Sequence, residues 1–98
     1  MAYEIHWLRR ASEELEAIFR FYNHFASDKV AKFRVETIIN SVDNLEFMPF
    51  LGQKDEDFTY IREYRYLVVL TYKVYYFVEG HDVFVASVWD CRQGSEAF

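Results

Sequence analysis

The stretch RYLVVLTYKVYYFVEGHDVFVASVWD, residues 65–90, decides the fold class. It is dense in β-branched and aromatic residues, which favour strands. Gly80 and His81 predict a tight turn between two of its strands, whereas the bend near Leu70 and Thr71 lacks the Gly or Asn typical of a short hairpin. We therefore predict an antiparallel meander of three strands, over residues 58–69, 72–78 and 82–89.

The chain before this stretch has the periodicity of helices. Apolar residues recur at three- and four-residue spacing, which predicts amphipathic helices over residues 9–25 and 28–47. Ser27 and Asp28 give an N-cap signal for the second helix. Pro49 predicts the end of that helix, because the residue before a proline avoids the α conformation.

Residues 3–7 alternate between apolar and polar side chains, which predicts a short first strand. The resulting order, β-α-α-β-β-β, indicates an α+β fold in which an antiparallel sheet packs against an N-terminal helical hairpin. We expect one domain over residues 1–98, because no linker or repeat interrupts the pattern. The predicted core comprises Leu15, Ile18, Phe19, Ile38, Val42, Leu45, Val68, Val74, Tyr76 and Val85.

Composition narrows the class of protein. The 98 residues are 52% hydrophobic and 20% aromatic, too apolar for a disordered chain, and the net charge of −5 is unfavourable for a nucleic-acid binder. Cys91 is the single cysteine, and the N-terminus lacks the pattern of a signal peptide, so we expect a cytoplasmic protein. The apolar stretch of residues 66–78 is too short to span a membrane, so no membrane partner is expected.

Basic residues in the β half are the candidate functional residues. A sheet with one packed face places cations on its open face, because an unpaired charge is costly inside a small core. There they would form, with aromatic side chains, a concavity suited to a phosphate backbone or a stacked base. The candidates are Arg62, Arg65, Lys73, Arg92, Tyr72, Tyr75 and Trp89. We expect Arg65, Lys73 and Arg92 to converge with their charged ends in solvent; the alternative is ordinary cross-strand ion pairing with Glu63 or Asp90.

Other chemistry has little support in the sequence. His6, His24 and His81 lack metal-ligand spacing, and there is no Gly-rich phosphate loop or Cys-x-x-Cys pair. We therefore expect neither a metal nor a cofactor. The acidic run of residues 55–57 predicts a solvated loop, or a surface that meets a basic partner.

Four motifs occur in an order that resembles a known family. They are RASEELEAI at residues 10–18, Leu45-x-x-x-Pro49-x-x-Gly52, RYLVVLTYKVYYFV at residues 65–78, and VFVASVWDCRQ at residues 83–93. Together they resemble the RelE/ParE superfamily of type II toxin–antitoxin modules, also called plasmid stabilisation proteins, over nearly the whole chain. The resemblance implies a bacterial toxin neutralised by a tightly bound antitoxin, in a hetero-oligomer or as a homodimer.

The resemblance also implies one of two activities. RelE-like members cleave messenger RNA on the ribosome through Lys, Arg and often a late Tyr, whereas ParE-like members poison DNA gyrase. The basic positions carry over to Arg65, Lys73 and Arg92, but Lys73 stands where an Arg is usual and no tyrosine follows Arg92. These departures favour a ParE-like toxin that binds its target and is not an enzyme. The alternatives are a RelE-like endoribonuclease and a non-toxic interaction module.

An exposed apolar groove is the last expectation. The aromatic fraction is more than one small core readily hides, and antitoxins of this family typically wrap their toxin with a helix and extended segments. An amphipathic helix lying in an apolar groove is therefore the expected mode of contact.

Overall fold

Two helices and five strands build the protein in the computed structural model, which describes residues 2–57 and 62–92. The helices pack against each other, and both contact one face of the sheet. This arrangement confirms the predicted α+β class and the helical hairpin. In chain order the elements are β1 (Glu4–Trp7), α1 (Arg9–Phe25), α2 (Asp28–Asp43), β2 (Gln53–Lys54), β3 (Arg65–Val69), β4 (Tyr72–Glu79) and β5 (Asp82–Asp90).

The five strands form one sheet in the order β1-β5-β4-β3-β2. Strands β3, β4 and β5 form the predicted antiparallel meander. The first strand differs, because β1 runs parallel to β5, with Glu4 beside Asp82 and Trp7 beside Val85. The sheet is therefore mixed, since alternation along a strand indicates its faces and not the direction of its neighbour.

Several boundaries differ from the prediction. Strand β3 begins at Arg65, whereas a strand over residues 58–69 was predicted; residues 58–61 lie outside the described residues. The predicted loop contains the short strand β2, in which Gln53 pairs with Tyr66. Helix α2 ends at Asp43, whereas a helix to residue 47 was predicted, and a 3-10 turn (Asn44–Glu46) follows it.

Caps and turns explain where the elements start and stop. Ser27 caps α2 as predicted, because its hydroxyl accepts a hydrogen bond of 3.1 Å from the Val30 N–H. Gly80 has φ +61° in the turn before β5, a left-handed conformation that glycine adopts without steric cost. Leu70 adopts φ +57° in the turn between β3 and β4, at a cost on the order of 1 kcal/mol for a residue with a Cβ atom.

The core lies between the hairpin and the sheet face that it covers, called here the covered face; the opposite side is the open face. Ile38, Val42, Leu45, Val74, Tyr76 and Val85 are buried as predicted. Leu15, Ile18 and Phe19 are half-buried, and the first two pack against the core. Val68 was wrongly predicted as buried, because its neighbour Val69 faces the core and successive side chains of a strand point to opposite faces. Its side chain is 66% exposed.

A carboxylate protects the part of β5 that extends beyond β1. One oxygen of Glu14 on α1 accepts hydrogen bonds of 2.9 Å from the Val88 N–H and from the Ser87 hydroxyl. This contact lies beside an irregularity in the pairing of β4 with β5, where Tyr75 and Tyr76 lie opposite Ser87 and Val85. Glu14 thus satisfies a backbone donor that would otherwise be left open at a sheet edge.

Among the residues that the structure describes, no helix combines the length and the apolar character that crossing a lipid bilayer requires.

Candidate functional site

The predicted cationic concavity depends on which side chains share the open face. In β4, Lys73 and Tyr75 alternate with the buried Tyr72 and Val74, so Lys73 and Tyr75 lie on the open face. Tyr72 is 1% exposed and faces the helices. The prediction that Tyr72 lines the concavity is therefore wrong, because it assigned adjacent residues of one strand to the same face.

Lys73 lies at an open depression with a volume of about 300 Å³. Its Nζ is 4.7 Å from the centroid of the Tyr66 ring, a cation–π contact. The depression is lined by Lys54, Asp55, Glu56, Asp57, Tyr66, Lys73 and Tyr75. Three carboxylates against two ammonium groups make the local field negative, which suits a basic partner better than a phosphate backbone.

Arg65 lies on the covered face, because it pairs across the sheet with the buried Tyr76. Its guanidinium donates hydrogen bonds to the Gly52 carbonyl at 3.0 Å and to the Phe50 carbonyl at 3.4 Å. It also forms an ion pair of 2.9 Å with Glu63, the partner that the alternative named, but Glu63 is two residues away along the chain and not across the sheet as predicted. Arg65 therefore holds the segment after α2 against the sheet.

The same segment is fixed from a second side. The Tyr76 hydroxyl accepts a hydrogen bond of 2.8 Å from the Gly52 N–H, and burial raises the pKa of Tyr76. A Cβ atom at position 52 would lie 2.7 Å from the Tyr76 ring and 2.8 Å from the Tyr66 carbonyl oxygen, so only glycine fits there.

Arg92 lies two residues beyond β5, at the other end of the covered face. It pairs at 3.4 Å with Asp90, which the alternative also named, although this pair too is local and not cross-strand. It donates a 3.0 Å hydrogen bond to the Tyr22 hydroxyl on α1. The hydrogen bond to Asp90 raises the pKa of Arg92. Arg34 of α2 stacks over the Tyr22 ring at 4.2 Å.

Tyr22 and Arg34 were missed as functional candidates at the sequence level. Tyr22 was counted as part of the apolar stripe of α1. Arg34 carries a recognisable signal, because it is four residues from both Val30 and Ile38 and thus interrupts the apolar stripe of α2.

The three predicted cations do not converge. Arg65 is opposite Tyr76, and Asp90, two residues before Arg92, is opposite Tyr72. Four residues of strand separate these positions by roughly 13 Å. Lys73 is on the other face of the sheet. The prediction of one cationic cluster is therefore wrong.

The open face carries a row of stacked planar groups. The rings of His6 and Phe84 stack at 5.0 Å, Phe84 and Phe77 stack at 5.1 Å, and the Arg62 guanidinium lies 4.1 Å from the Phe77 centroid. Arg62 also pairs with Glu79 at 3.8 Å. Trp89, which is 40% exposed, lies opposite Lys73 at the far end of this face.

Glu4, His6 and Asp82 are the side chains best placed to ligate a metal. Their ligand atoms lie within 4.8 Å of one another among the described residues. The 2.8 Å hydrogen bond between His6 Nε2 and Asp82 Oδ1 already accounts for the arrangement.

In the part of the chain that the structure describes, two groups of large apolar side chains are exposed over half or more of their surface. The loop surface consists of Phe47, Met48, Phe50 and Leu51, and the hairpin surface consists of Phe21, Phe25 and Phe33. The Phe21 and Phe25 rings contact each other at 4.8 Å. Exposed apolar side chains at this density are typical of surfaces that bind another protein.

Comparison with known proteins gives the family. The model of the family described as "ParE toxin of type II toxin-antitoxin system, parDE" matches residues 5–94. The fold is similar to that in the structure "Chromosomal ParDE TA system from P. aeruginosa", with a TM-score of 0.76 and 19% identity over 91% of this chain and 96% of that one. No curated protein matches. Because the family model covers most of the sequence, the chain belongs to the ParE toxins of type II toxin–antitoxin systems.

Proposed function

We propose that this toxin is neutralised by a cognate antitoxin and acts by binding DNA gyrase, without cleaving RNA. The proposal that the toxin does not cleave RNA rests on one observation, which is that its basic side chains are dispersed. A nuclease needs cationic stabilisation beside a proton donor and acceptor at one place. Here Arg65 and Arg92 are engaged at opposite ends of the covered face, and Lys73 lies on the other face among carboxylates.

The open face around Lys73 and Trp89 is the proposed target-binding surface. Trp89 is exposed and lies directly opposite Lys73 in the β4–β5 pairing. Tryptophan is among the residue types that contribute most to binding energy at protein interfaces. Neither side chain has a role in the core, so both are available to a partner.

The loop surface and the hairpin surface are the proposed contacts of the antitoxin. Each presents three or four large apolar side chains that the core does not use. An amphipathic helix and an extended segment of one partner would cover both, which accounts for two separate apolar surfaces on so small a protein.

Two assays with purified toxin distinguish gyrase from RNA as the target. We expect the toxin to inhibit DNA supercoiling by gyrase and to leave messenger RNA intact in a programmed ribosome assay. The double variant Lys73→Ala, Trp89→Ala should require at least about tenfold more protein for inhibition, as expected for a loss of 1.4 kcal/mol or more at an interface.

Arg20→Ala is the matched control, because Arg20 is exposed on α1 and pairs with Glu16. Messenger RNA cutting that disappears in Lys73→Ala, Arg92→Ala would establish the endoribonuclease alternative. Normal growth on expression alone, with no effect in either assay, would establish the non-toxic module.

Co-expression with the small protein encoded next to the toxin gene tests the antitoxin contacts. We expect Phe25→Ser, Phe33→Ser and, separately, Phe47→Ser, Met48→Ser to weaken the complex by at least about tenfold, because each pair removes anchoring apolar area. Arg20→Ala again serves as the control. Unchanged affinity in both double variants would contradict this assignment of the two surfaces.

A further inference from the structure

Four side chains from separate parts of the chain meet at the end of the covered face that carries Arg92. Tyr22 comes from α1, Arg34 from α2, Tyr72 from β4, and Arg92 follows β5. Arg92 donates to the Tyr22 hydroxyl, and Arg34 stacks on the Tyr22 ring. The Tyr22 hydroxyl and Arg34 also lie close enough to the Tyr72 hydroxyl to shift its pKa. We call this group the Tyr–Arg cluster.

We propose that the Tyr–Arg cluster is a binding site for a single oxyanion, a phosphate or a carboxylate group. Two guanidinium groups and two phenol hydroxyls can all donate hydrogen bonds that such an anion accepts. Among the described residues, Asp90 is the one carboxylate that pairs with the cluster, and it pairs with Arg92 and not with Arg34.

The Tyr72 hydroxyl is the observation that points to a missing ligand. Tyr72 is 1% exposed, and within residues 2–57 and 62–92 its oxygen has no partner that meets the geometry of a hydrogen bond, although the Tyr22 hydroxyl and the Arg34 guanidinium are near enough to shift its pKa. Buried polar groups are nearly always hydrogen-bonded, and an orphaned one calls for an explanation. An oxyanion held between this hydroxyl and Arg34 satisfies it.

Arg34 is a second residue whose surroundings point to a bound anion. It is half-buried on the apolar stripe of α2, where a cation is costly. No carboxylate of the described residues lies within 4.0 Å of the Arg34 guanidinium. A guanidinium binds phosphate or carboxylate through two parallel hydrogen bonds, so an anion would offset its burial.

The pKa shifts agree with a field that favours negative charge at Tyr22. Burial acts to raise the pKa of Tyr22, but the hydrogen bond from Arg92, the neighbouring Tyr72 hydroxyl, and the charges of Arg34 and Arg92 together lower it. Tyr72 shifts the other way, because burial and its neighbour Tyr22 raise its pKa to about 12. Tyr72 therefore remains a hydrogen-bond donor at neutral pH.

Two sources can supply this anion. One is a free phosphate ion, and the other is an acidic side chain of a bound protein. Phe21 packs edge-on against Tyr22 at 5.1 Å, so the hairpin surface begins beside the cluster. A protein covering that surface could place a carboxylate there; this second source rests on the proposed antitoxin contact, and the first does not.

Inorganic phosphate probes the free-anion source. In thermal unfolding at constant ionic strength, about 20 mM phosphate in place of chloride should raise the midpoint of the free toxin by at least about 2 °C. Tyr72→Phe and Arg34→Gln should abolish the rise, and Arg20→Gln should keep it. Tyr72→Phe without phosphate should unfold within about 2 °C of the unmodified protein or above it, because an unpartnered hydroxyl contributes no stability.

Affinity for the neighbouring antitoxin probes the second source. Tyr72→Phe and Arg34→Gln should each weaken the complex by at least about fivefold if a partner carboxylate fills the site, and Arg20→Gln should not. A response in either arm supports the proposal and identifies the source. Phosphate stabilisation and antitoxin affinity that are both the same in the variants as in the unmodified protein would overturn it. An antitoxin that fails to bind at all contradicts the proposed function, and the phosphate arm then decides alone.

Discussion

The two faces of the sheet are stabilised in different ways. On the covered face, Val74, Tyr76 and Val85 are fully buried against the helical hairpin. On the open face, the rings of His6, Phe84 and Phe77 stack on one another, and the Arg62 guanidinium covers the Phe77 ring, which is 4% exposed. Burial of apolar area stabilises the first face, at about 25 cal/mol per Å² removed from water. Cross-strand pairs, each contributing roughly 0.2–1 kcal/mol, stabilise the second.

This difference indicates where function can reside. Residues on the covered face are constrained by packing, and a change in volume there is costly. The open face tolerates substitution, so a tryptophan and a lysine can be placed there for a partner without loss of fold. The Tyr–Arg cluster is an exception on the covered face, because polar groups occupy a place where packing alone predicts apolar ones.

A matched pair of valines tests the comparison most directly. Val74 is fully buried on β4, and Val68 is 66% exposed on the adjacent β3. We expect Val74→Ala to lower the free energy of unfolding by about 2–4 kcal/mol, through lost burial and the cavity left behind. Val68→Ala should change it by less than about 0.5 kcal/mol. Denaturant unfolding measures both, and equal losses would contradict the assignment of the two faces.

The sequence predicts the elements of this fold better than their faces. The helices, the capping serine and the meander follow from local periodicity and turn residues. The run Leu67-Val68-Val69 has no alternation, so nothing local indicates that only Val68 points outward. The parallel pairing of β1 with β5 depends on the path of the whole chain.

The candidate site was less predictable for a related reason. Arg65 and Arg92 are engaged by the Gly52 carbonyl and by Tyr22, groups 13 and 70 residues away in sequence. The ion pairs with Glu63 and Asp90 were predictable, because each partner is two residues away. Contacts between distant segments, which carry the Tyr–Arg cluster, require the fold to be known.

Alkaline unfolding tests the buried phenol of the covered face. The pKa of Tyr72 is raised from 10.0 to about 12, because burial disfavours the phenolate. Its neutral form therefore contributes stability that is fully present below pH 10 and is lost as the pH rises through about 12, by at most about 3 kcal/mol. Between pH 9 and pH 12, Tyr72→Phe should lose less stability than the unmodified protein. Parallel pH profiles for the two proteins would show that Tyr72 ionises as freely in the fold as in the unfolded chain.

Glu14 tests the boundary between the two faces, at the edge of β5. Glu14→Ala leaves the N–H of the buried Val88 without its acceptor, so we expect a loss of about 1–2 kcal/mol in the free energy of unfolding. Glu14→Gln keeps an acceptor oxygen and should lose less. Glu13→Ala is the control, because Glu13 is an exposed neighbour on the same helix. A Glu13 variant as unstable as the Glu14 variant would mean that helix charge, and not the edge contact, produces the loss.

The smallest expected effect lies at the end of the stacked row on the open face. The Arg62 guanidinium is 4.1 Å from the Phe77 ring and pairs with the exposed Glu79 at 3.8 Å. Cation–π contacts at exposed sites contribute about 0.5–1 kcal/mol, and exposed ion pairs contribute little more. Arg62→Ala should therefore lower the free energy of unfolding by about 1 kcal/mol or less.

Arg62→Lys keeps the charge but not the planar stacking group, so it separates the two contributions. If stacking dominates, the lysine variant should be nearly as unstable as the alanine variant, and added salt should change neither loss. A loss above about 2 kcal/mol for Arg62→Ala would be as large as the loss expected for a core residue, and it would contradict the proposed difference between the two faces.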